Sequence, residues 1–313
     1  MLITKCFYRV KPLIPRSAQL FLRRNLIRMK KERYRDVWPI DERAATPPSG
    51  WPGWPEGKRF ALILTHDVET ARGVERCHAL ATLEESLGFR SSYNFVPERY
   101  KVPSRLRHDL AGKGFEVGVH DLNHDGKLYD SREIFEERAE KINRYLEDWG
   151  SVGFRSGSML HNLEWLHKLK IKYDASTFDT DPFEPQSDGM CTIFPFWKAM
   201  DSSGEGYLEI PYTLPQDFTL FVLMKEKNIE IWKNKLDWIV RNGGMALLNT
   251  HPDYMSFVDK GKGMEEYHVK YYIEFLEYIK KMHKQNCWHV LPKEMAHWWI
   301  NREESFLNIP ISS

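Results

Sequence analysis

Phe60-Ala-Leu-Ile-Leu-Thr-His-Asp-Val-Glu69 is the stretch that decides the fold. Phe60–Leu64 is uninterrupted apolar sequence, the mark of a strand covered on both faces, as in a parallel sheet sheathed by helices. The acids come only where that run ends. In a barrel of alternating strands and helices the C-terminal strand ends form the mouth where ligands bind, so Asp67 and Glu69 stand at a functional position. If the extended backbone persists, alternation sends Asp67 and Glu69 to one side and His66 and Val68 to the other. A helix N-cap needs only one such acid, so two on one side argue for more than capping.

Short apolar runs of the same kind recur downstream at Ser92–Val96, Phe115–Val119, Val152–Arg155, Tyr173–Thr177, Met245–Asn249 and His289–Leu291. Helical periodicity fills the intervals, over Ala71–Leu87, Ser104–Gly112, Ser131–Trp149, Leu163–Leu169, Glu230–Asn242, Glu265–Gln285 and Lys293–Ile300. This alternation predicts an α/β fold, a distorted (β/α) barrel of seven parallel strands with a β excursion through Thr192–Pro211. A chain of 313 residues has room for one such core and an extension. The extension is expected at residues 1–56 and the barrel at 57–313. The boundary falls in Thr46-Pro-Pro-Ser-Gly-Trp-Pro-Gly-Trp-Pro55, a hinge-like linker whose indoles can pin it to the barrel.

Composition narrows the class. With 42% hydrophobic and 28% charged residues the chain reads as globular, neither disordered nor membrane-spanning. Cys6, Cys77, Cys191 and Cys287 are scattered, without a C-x-x-C pair, and read as reduced, mostly buried thiols. The first residues lack the apolar core and cleavage site of a secretory signal, so the cytoplasm is the default compartment. Net charge is only +1, yet residues 1–36 hold eleven Lys/Arg against Glu32 and Asp36, a local balance of +9 that leaves −8 for the rest. Over Ser17–Met29, Leu20, Phe21, Leu26 and Ile27 can share one helical face with Arg23, Arg24 and Arg28 elsewhere. A basic amphipathic helix of that kind suits an anionic membrane surface, peripheral to the inner membrane, or packs on the barrel's outside. Nucleic acid is not an expected partner, because the basic stretch is one tail on an acidic body.

Three more strand ends carry chemistry. The third strand runs into His120-Asp-Leu-Asn-His124. Twelve histidines in the chain make that spacing weak evidence alone; its place at a mouth gives it weight. On a helical turn the two imidazoles would face one side, and two His with one carboxylate leave a position open for water, the pattern of catalytic zinc. The fourth strand ends in Arg155, for which an anchoring carboxylate is expected among Asp174, Asp179 and Asp181. The sixth of these strands ends in Thr250-His251, again at the mouth. Trp197, Tyr212 and Tyr254 are candidates for stacking on a ligand ring, although such residues serve core packing more often.

The ordered set resembles the polysaccharide-deacetylase family, carbohydrate esterase family four, which shares the chitooligosaccharide-deacetylase homology domain. The family's opening Thr-Phe-Asp-Asp is similar to Thr65-His66-Asp67-Val68-Glu69, its His-x-x-x-His to His120 and His124, its Arg-x-Pro to Arg155, and its Leu-x-x-His to Leu248–His251. Three departures stand out. Val68 replaces the second Asp, which would pass its ligand role to Glu69; Gly157 replaces the Pro; and the Asp-rich fourth motif is matched only loosely at Phe178–Pro182.

The resemblance implies removal of an acyl group, N-acetyl by preference, from a sugar of a surface polysaccharide or its lipid-linked precursor. It implies a divalent metal, zinc by preference, held by Glu69, His120 and His124, with Asp67 as general base and His251 as general acid. Arg155, paired with Asp179, would hold Asp67 in place. The departures leave a second expectation open, a catalytically silent relative that binds glycan or a partner at the membrane surface.

Overall fold

In the computed structural model, which describes residues 14–202, 204–258 and 263–307 and only the backbone of 303–307, strand β1 spans Phe60–Val68 and is buried along its whole length. It is followed by α2 (Ala71–Leu87), β2 (Ser92–Phe95), α3 (Ser104–Gly112), β3 (Glu116–His120), α4 (Arg132–Trp149), β4 (Gly153–Arg155), β5 (Tyr173–Asp174), β6 (Phe196–Ala199) and β7 (Gly206–Glu209). Then come α5 (Glu230–Asn242), β8 (Met245–Thr250), β9 (Met255–Ser256), β10 (Tyr267–His268), α6 (Lys270–Met282), β11 (Cys287–His289) and α7 (Pro292–Leu307). Helix α1 (Arg16–Arg33) precedes them all.

Strand β1 organises the sheet. One edge pairs with β8 over Ala61–His66; the other pairs with β11 over Phe60–Leu62 and, further on, with β2 over Thr65–Val68. From β2 the sheet continues through β3, β4, β5 and β7, all parallel, with β6 antiparallel on the outside. Beyond β7 the chain bridges back at Leu214 to Leu248 of β8, which brings the sheet round into a distorted barrel. Among the described residues this main sheet has eight parallel strands, one more than the seven expected. The added one, β7, lies inside the Thr192–Pro211 excursion, where a hairpin with β6 hides the parallel pairing of its other edge.

Local chemistry explains the helices. Ser131 Oγ accepts from the Ile134 N–H and starts α4, and Gly150, at φ 62°, ends it. Between them Phe135, Ala139, Ile142 and Leu146 recur at three and four residues and are buried. Fully burying each of the three larger side chains contributes about 1.5–3 kcal/mol. Two helical expectations are corrected. Leu163–Leu169 forms only a 3-10 turn at Trp165–Lys168. Helix α6 begins at Lys270, because Tyr267–His268 is drawn into a ladder with Met255–Ser256.

Trp51 and Trp54 pack on Phe194, Trp288, Trp298 and Trp299, and Trp54 Nε1 donates to Gly243 O at 2.7 Å, so the linker indoles are seated on the fold. Helix α1 buries Leu20 and Ile27, while Phe21 and Leu26 face outward at 65% and 48% exposure. The single apolar face expected of the four therefore splits, since residues seven apart align on a helix and those five apart do not. Of the described cysteines only Cys77 is buried, Cys287 is half-buried and Cys191 exposed, so most of these thiols are not core residues. Cys6, Lys5, Arg9 and Lys11 lie outside the described residues. No helix among the described residues is long and apolar enough to cross a membrane.

Candidate active site

Alternation along β1 works as the sequence implies. His66 turns outward, its imidazole between Thr250 Oγ1 at 2.7 Å and the buried Glu84 at 2.9 Å, while Asp67 and Glu69 turn into the mouth. Asp67 is buried and accepts from Asn94 Nδ2 at 3.0 Å and Asn249 Nδ2 at 2.8 Å. Arg155 Nε stands 3.7 Å from one of its oxygens and His120 Nε2 3.9 Å from the other. Burial alone would raise this carboxyl, but the charges of His120, Arg155 and His251 and the Asn94 amide hold it at about 2.

One ligating atom each from Glu69, His120 and His124 lies within 4.8 Å of the others. His120 Nδ1 faces the Arg155 carbonyl at 3.1 Å; a carbonyl only accepts, so the ring proton is on Nδ1 and the Nε2 lone pair faces the cluster. Nε2 of both histidines is buried with no hydrogen-bond partner, and His124 Nε2 lies 3.2 Å from Glu69 Oε1 off the line of a bond. Orphaned imidazole nitrogens beside a carboxylate fit a divalent cation. Arg99 donates to His124 Nδ1 at 2.8 Å. A cation on Nε2 leaves the ring proton on Nδ1, so loading the site requires the exposed Arg99 to move off.

The imidazoles converge, with ring centroids 4.9 Å apart, but not on a helical turn. The chain after β3 is a bent loop in which Asp121 and His124 take left-handed backbone, φ 56° and 52°. Gly157, where the resembled family has Pro, makes room for it: a Cβ there would fall 2.5 Å from Asp121 Oδ2 and 3.0 Å from the His124 ring. Gly157→Ala is expected to push His124 off its position and weaken metal affinity roughly tenfold or more, the effect of disturbing a ligand's support. Isothermal titration with zinc measures it.

His251 extends from the end of β8, and its Nδ1 is 2.7 Å from Asp217 Oδ1, whose other oxygen accepts from the His251 backbone N–H and the Tyr267 hydroxyl. Burial works against the charged ring, but Asp217, with help from Glu69 and Asp67, raises it to about 10. Asp217 was not among the residues singled out by sequence; it precedes a π-helical segment, Phe218–Leu223, with no pattern to mark it. Asn94 and Asn249 were also missed, although Asn249 lies two residues before His251 and so on the same face of the strand.

Asp179 belongs elsewhere. It is buried against Lys235 at 2.5 Å, so the expected Arg155–Asp179 pair does not form and Arg155 turns instead to Asp67. Asp179 follows β5 on the side where α5 packs, whereas Arg155 points into the barrel. Removing one partner of a buried pair typically costs 3–5 kcal/mol. Asp179→Ala is therefore expected to destabilise the fold by about 3 kcal/mol in thermal or urea denaturation while sparing zinc affinity, because Lys235 is left buried and uncompensated. Asp181 is likewise engaged, accepting from Tyr212 at 2.9 Å, and Asp174 is held by Ser176. Of the three aromatic candidates only Tyr254 stands at the site, donating to Glu69 at 2.9 Å. Tyr212 is buried beneath, and Trp197 lies on β6 with its Nε1 bonded to Gly204 O.

These groups open into a cavity of about 930 Å³, walled on one side by the barrel mouth and on the other by Arg16, Gln19, Arg23 and Lys30 of α1. Arg16 pairs with Glu265, Lys30 donates to Pro182 O at 2.7 Å, and the Arg23 guanidinium lies 4.9 Å over the Phe218 ring. The N-terminal helix is thus part of the site.

A barrel of this topology is also the fold of solved structures assigned to the polysaccharide deacetylases. Among solved structures the chain is similar to a protein of Mycobacterium smegmatis assigned to the polysaccharide deacetylases, with TM-score 0.62 and 16% identity over 82% of this chain and 96% of that one. It is equally similar to the allantoinase Puue, with TM-score 0.62 and 16% identity over 84% and 97%. A Pseudomonas aeruginosa PAO1 protein assigned to the polysaccharide deacetylases follows, with TM-score 0.62 and 15% identity over 80% and 95%. No protein-family model and no curated protein matches the sequence. At such identities the likeness establishes the fold.

Proposed function

We propose that this protein is a metal-dependent hydrolase that removes an acyl group, N-acetyl by preference, from a sugar of a surface polysaccharide or its precursor. The observation that carries it is the convergence of Glu69, His120 and His124 beside Asp67 and His251 in one cavity. Glu69, His120 and His124 would hold a divalent ion, zinc by the nature of the donors, which when bound would supply a water of lowered pKa and a Lewis acid for an acyl oxygen. Asp67 is ionised and oriented by two amides and Arg155, so it can take a proton as general base. His251 carries a proton held by Asp217 and is placed to give it to the departing amine, a poor leaving group as an anion. Tyr254 fixes the second oxygen of Glu69.

A second reading, hydrolysis of a non-sugar amide, is favoured by the likeness to an allantoinase on the same barrel. Assays of N-acetylated sugar oligomers against allantoin and simple amides, with zinc content measured by elemental analysis, separate the two. Zinc at one equivalent with turnover of the sugars supports the proposal; a metal-free protein that binds glycan without turnover overturns it.

A further inference from the structure

At 3.6 residues per turn the side chains of α1 fall into three sectors. Leu20 and Ile27 are buried on the barrel, and Arg16, Gln19, Arg23 and Lys30 wall the cavity. Phe21, Leu22, Leu26 and Met29 form the third, 65%, 54%, 48% and 67% exposed, over roughly 140° of the helix surface. Four of the eight exposed large apolar side chains among the described residues are on this one helix, which is not the single scatter of an ordinary surface. Met264, whose carbonyl accepts from Arg24, adds another beside it at 61% exposure. The helix carries seven Lys/Arg against Glu32; the exposed Arg28 borders the apolar sector along one edge, and the exposed Arg33 closes it at the C-terminal end, one turn beyond Met29.

Leu22 and Leu26 belong to two sectors at once, lining the cavity and facing out. Whatever covers the stripe therefore also meets the cavity rim. A protein surface seated there would obstruct entry, whereas a bilayer covers the stripe and presents a lipid-borne substrate to the opening in the same contact. An apolar sector edged by cations matches an anionic lipid surface in both hydrophobicity and charge.

We propose that α1 is an interfacial helix that docks on an anionic bilayer through Phe21, Leu22, Leu26 and Met29, and that the substrate is a sugar carried on an anionic membrane lipid. The charged linker is received by Arg23, which rests on Phe218; that ring lies 4.6 Å from the ring of Tyr254, the residue bonded to Glu69. The substrate assignment rests on the deacetylase reading; the docking stands independently of it.

The full chain is sedimented with vesicles of phosphatidylcholine plus phosphatidylglycerol and with phosphatidylcholine alone. Pelleting with the mixed vesicles is expected, reduced about tenfold or more with phosphatidylcholine alone and in the double variant Phe21→Ser/Met29→Ser. Neither residue lines the cavity, so the double variant should still deacetylate a water-soluble N-acetylated sugar while losing activity on a vesicle-borne lipid-linked one. No pelleting of the parent chain, or equal pelleting of the variant, overturns the docking. A dimer in sedimentation velocity that dissociates in the variant assigns the stripe to a second copy and overturns it as well. Pelleting without deacetylation of either substrate upholds the docking and overturns the substrate assignment.

Discussion

His120→Ala is expected to remove bound zinc and lower turnover by about 10³-fold or more, the several kcal/mol that a catalytic ion supplies at a tenfold change per 1.36 kcal/mol. The magnitude follows from how completely the imidazole is committed. Its Nδ1 proton is fixed on the Arg155 carbonyl, its Nε2 is buried with no partner, and the other members of the ligand set are one histidine and one carboxylate. One histidine on a bent loop and one carboxylate at the end of β1 do not hold a dilute divalent ion. The variant should fold, since it exchanges an unpartnered polar atom for a small cavity, and its metal-free unfolding curve should lie close to that of the metal-free parent. Chelation of the parent followed by zinc addition should reproduce and then reverse the loss. Activity that survives both the substitution and chelation would remove metal from the reaction.

Asp217→Asn is expected to lower kcat by about 10²-fold or more with little change in KM, the range of a positioned general acid. The carboxylate holds His251 through Nδ1 at 2.7 Å and is itself held by the His251 backbone N–H and Tyr267. An amide keeps the shape but no longer favours the charged ring. The proton that Asp217 stabilises is then lost at lower pH, so the alkaline limb of the pH–rate profile should move to lower pH relative to the parent. His251→Ala should lose at least as much turnover and show no alkaline limb from this group. A substrate with a good leaving group, which needs no proton, should recover most of the rate in either variant. Unchanged profiles in Asp217→Asn would assign the pair to structure and not to proton transfer.

Much of this site was legible along the chain, because a strand's period of two and its direction carry a side chain to a definite place. That argument put Asp67 and Glu69 in the mouth and His66 outside it, and placed Arg155 and His251 at strand ends. It failed for Asp179, where the chain had left the strand and alternation no longer applied; Lys235, 56 positions away, takes that carboxylate. It failed in the same way for the loop that carries His124, which reaches its partner by two left-handed residues and a glycine and not by a helical turn.

By itself the sequence determined the alternating architecture, the residues at the strand ends and the basic character of the first helix, since each follows from periodicity or local composition. Only the tertiary structure decided that Asp217 holds His251, that Arg155 faces Asp67, and that α1 walls the cavity with its apolar sector outward. Those are contacts between segments far apart in the chain, set by how the elements pack, and no local pattern encodes them.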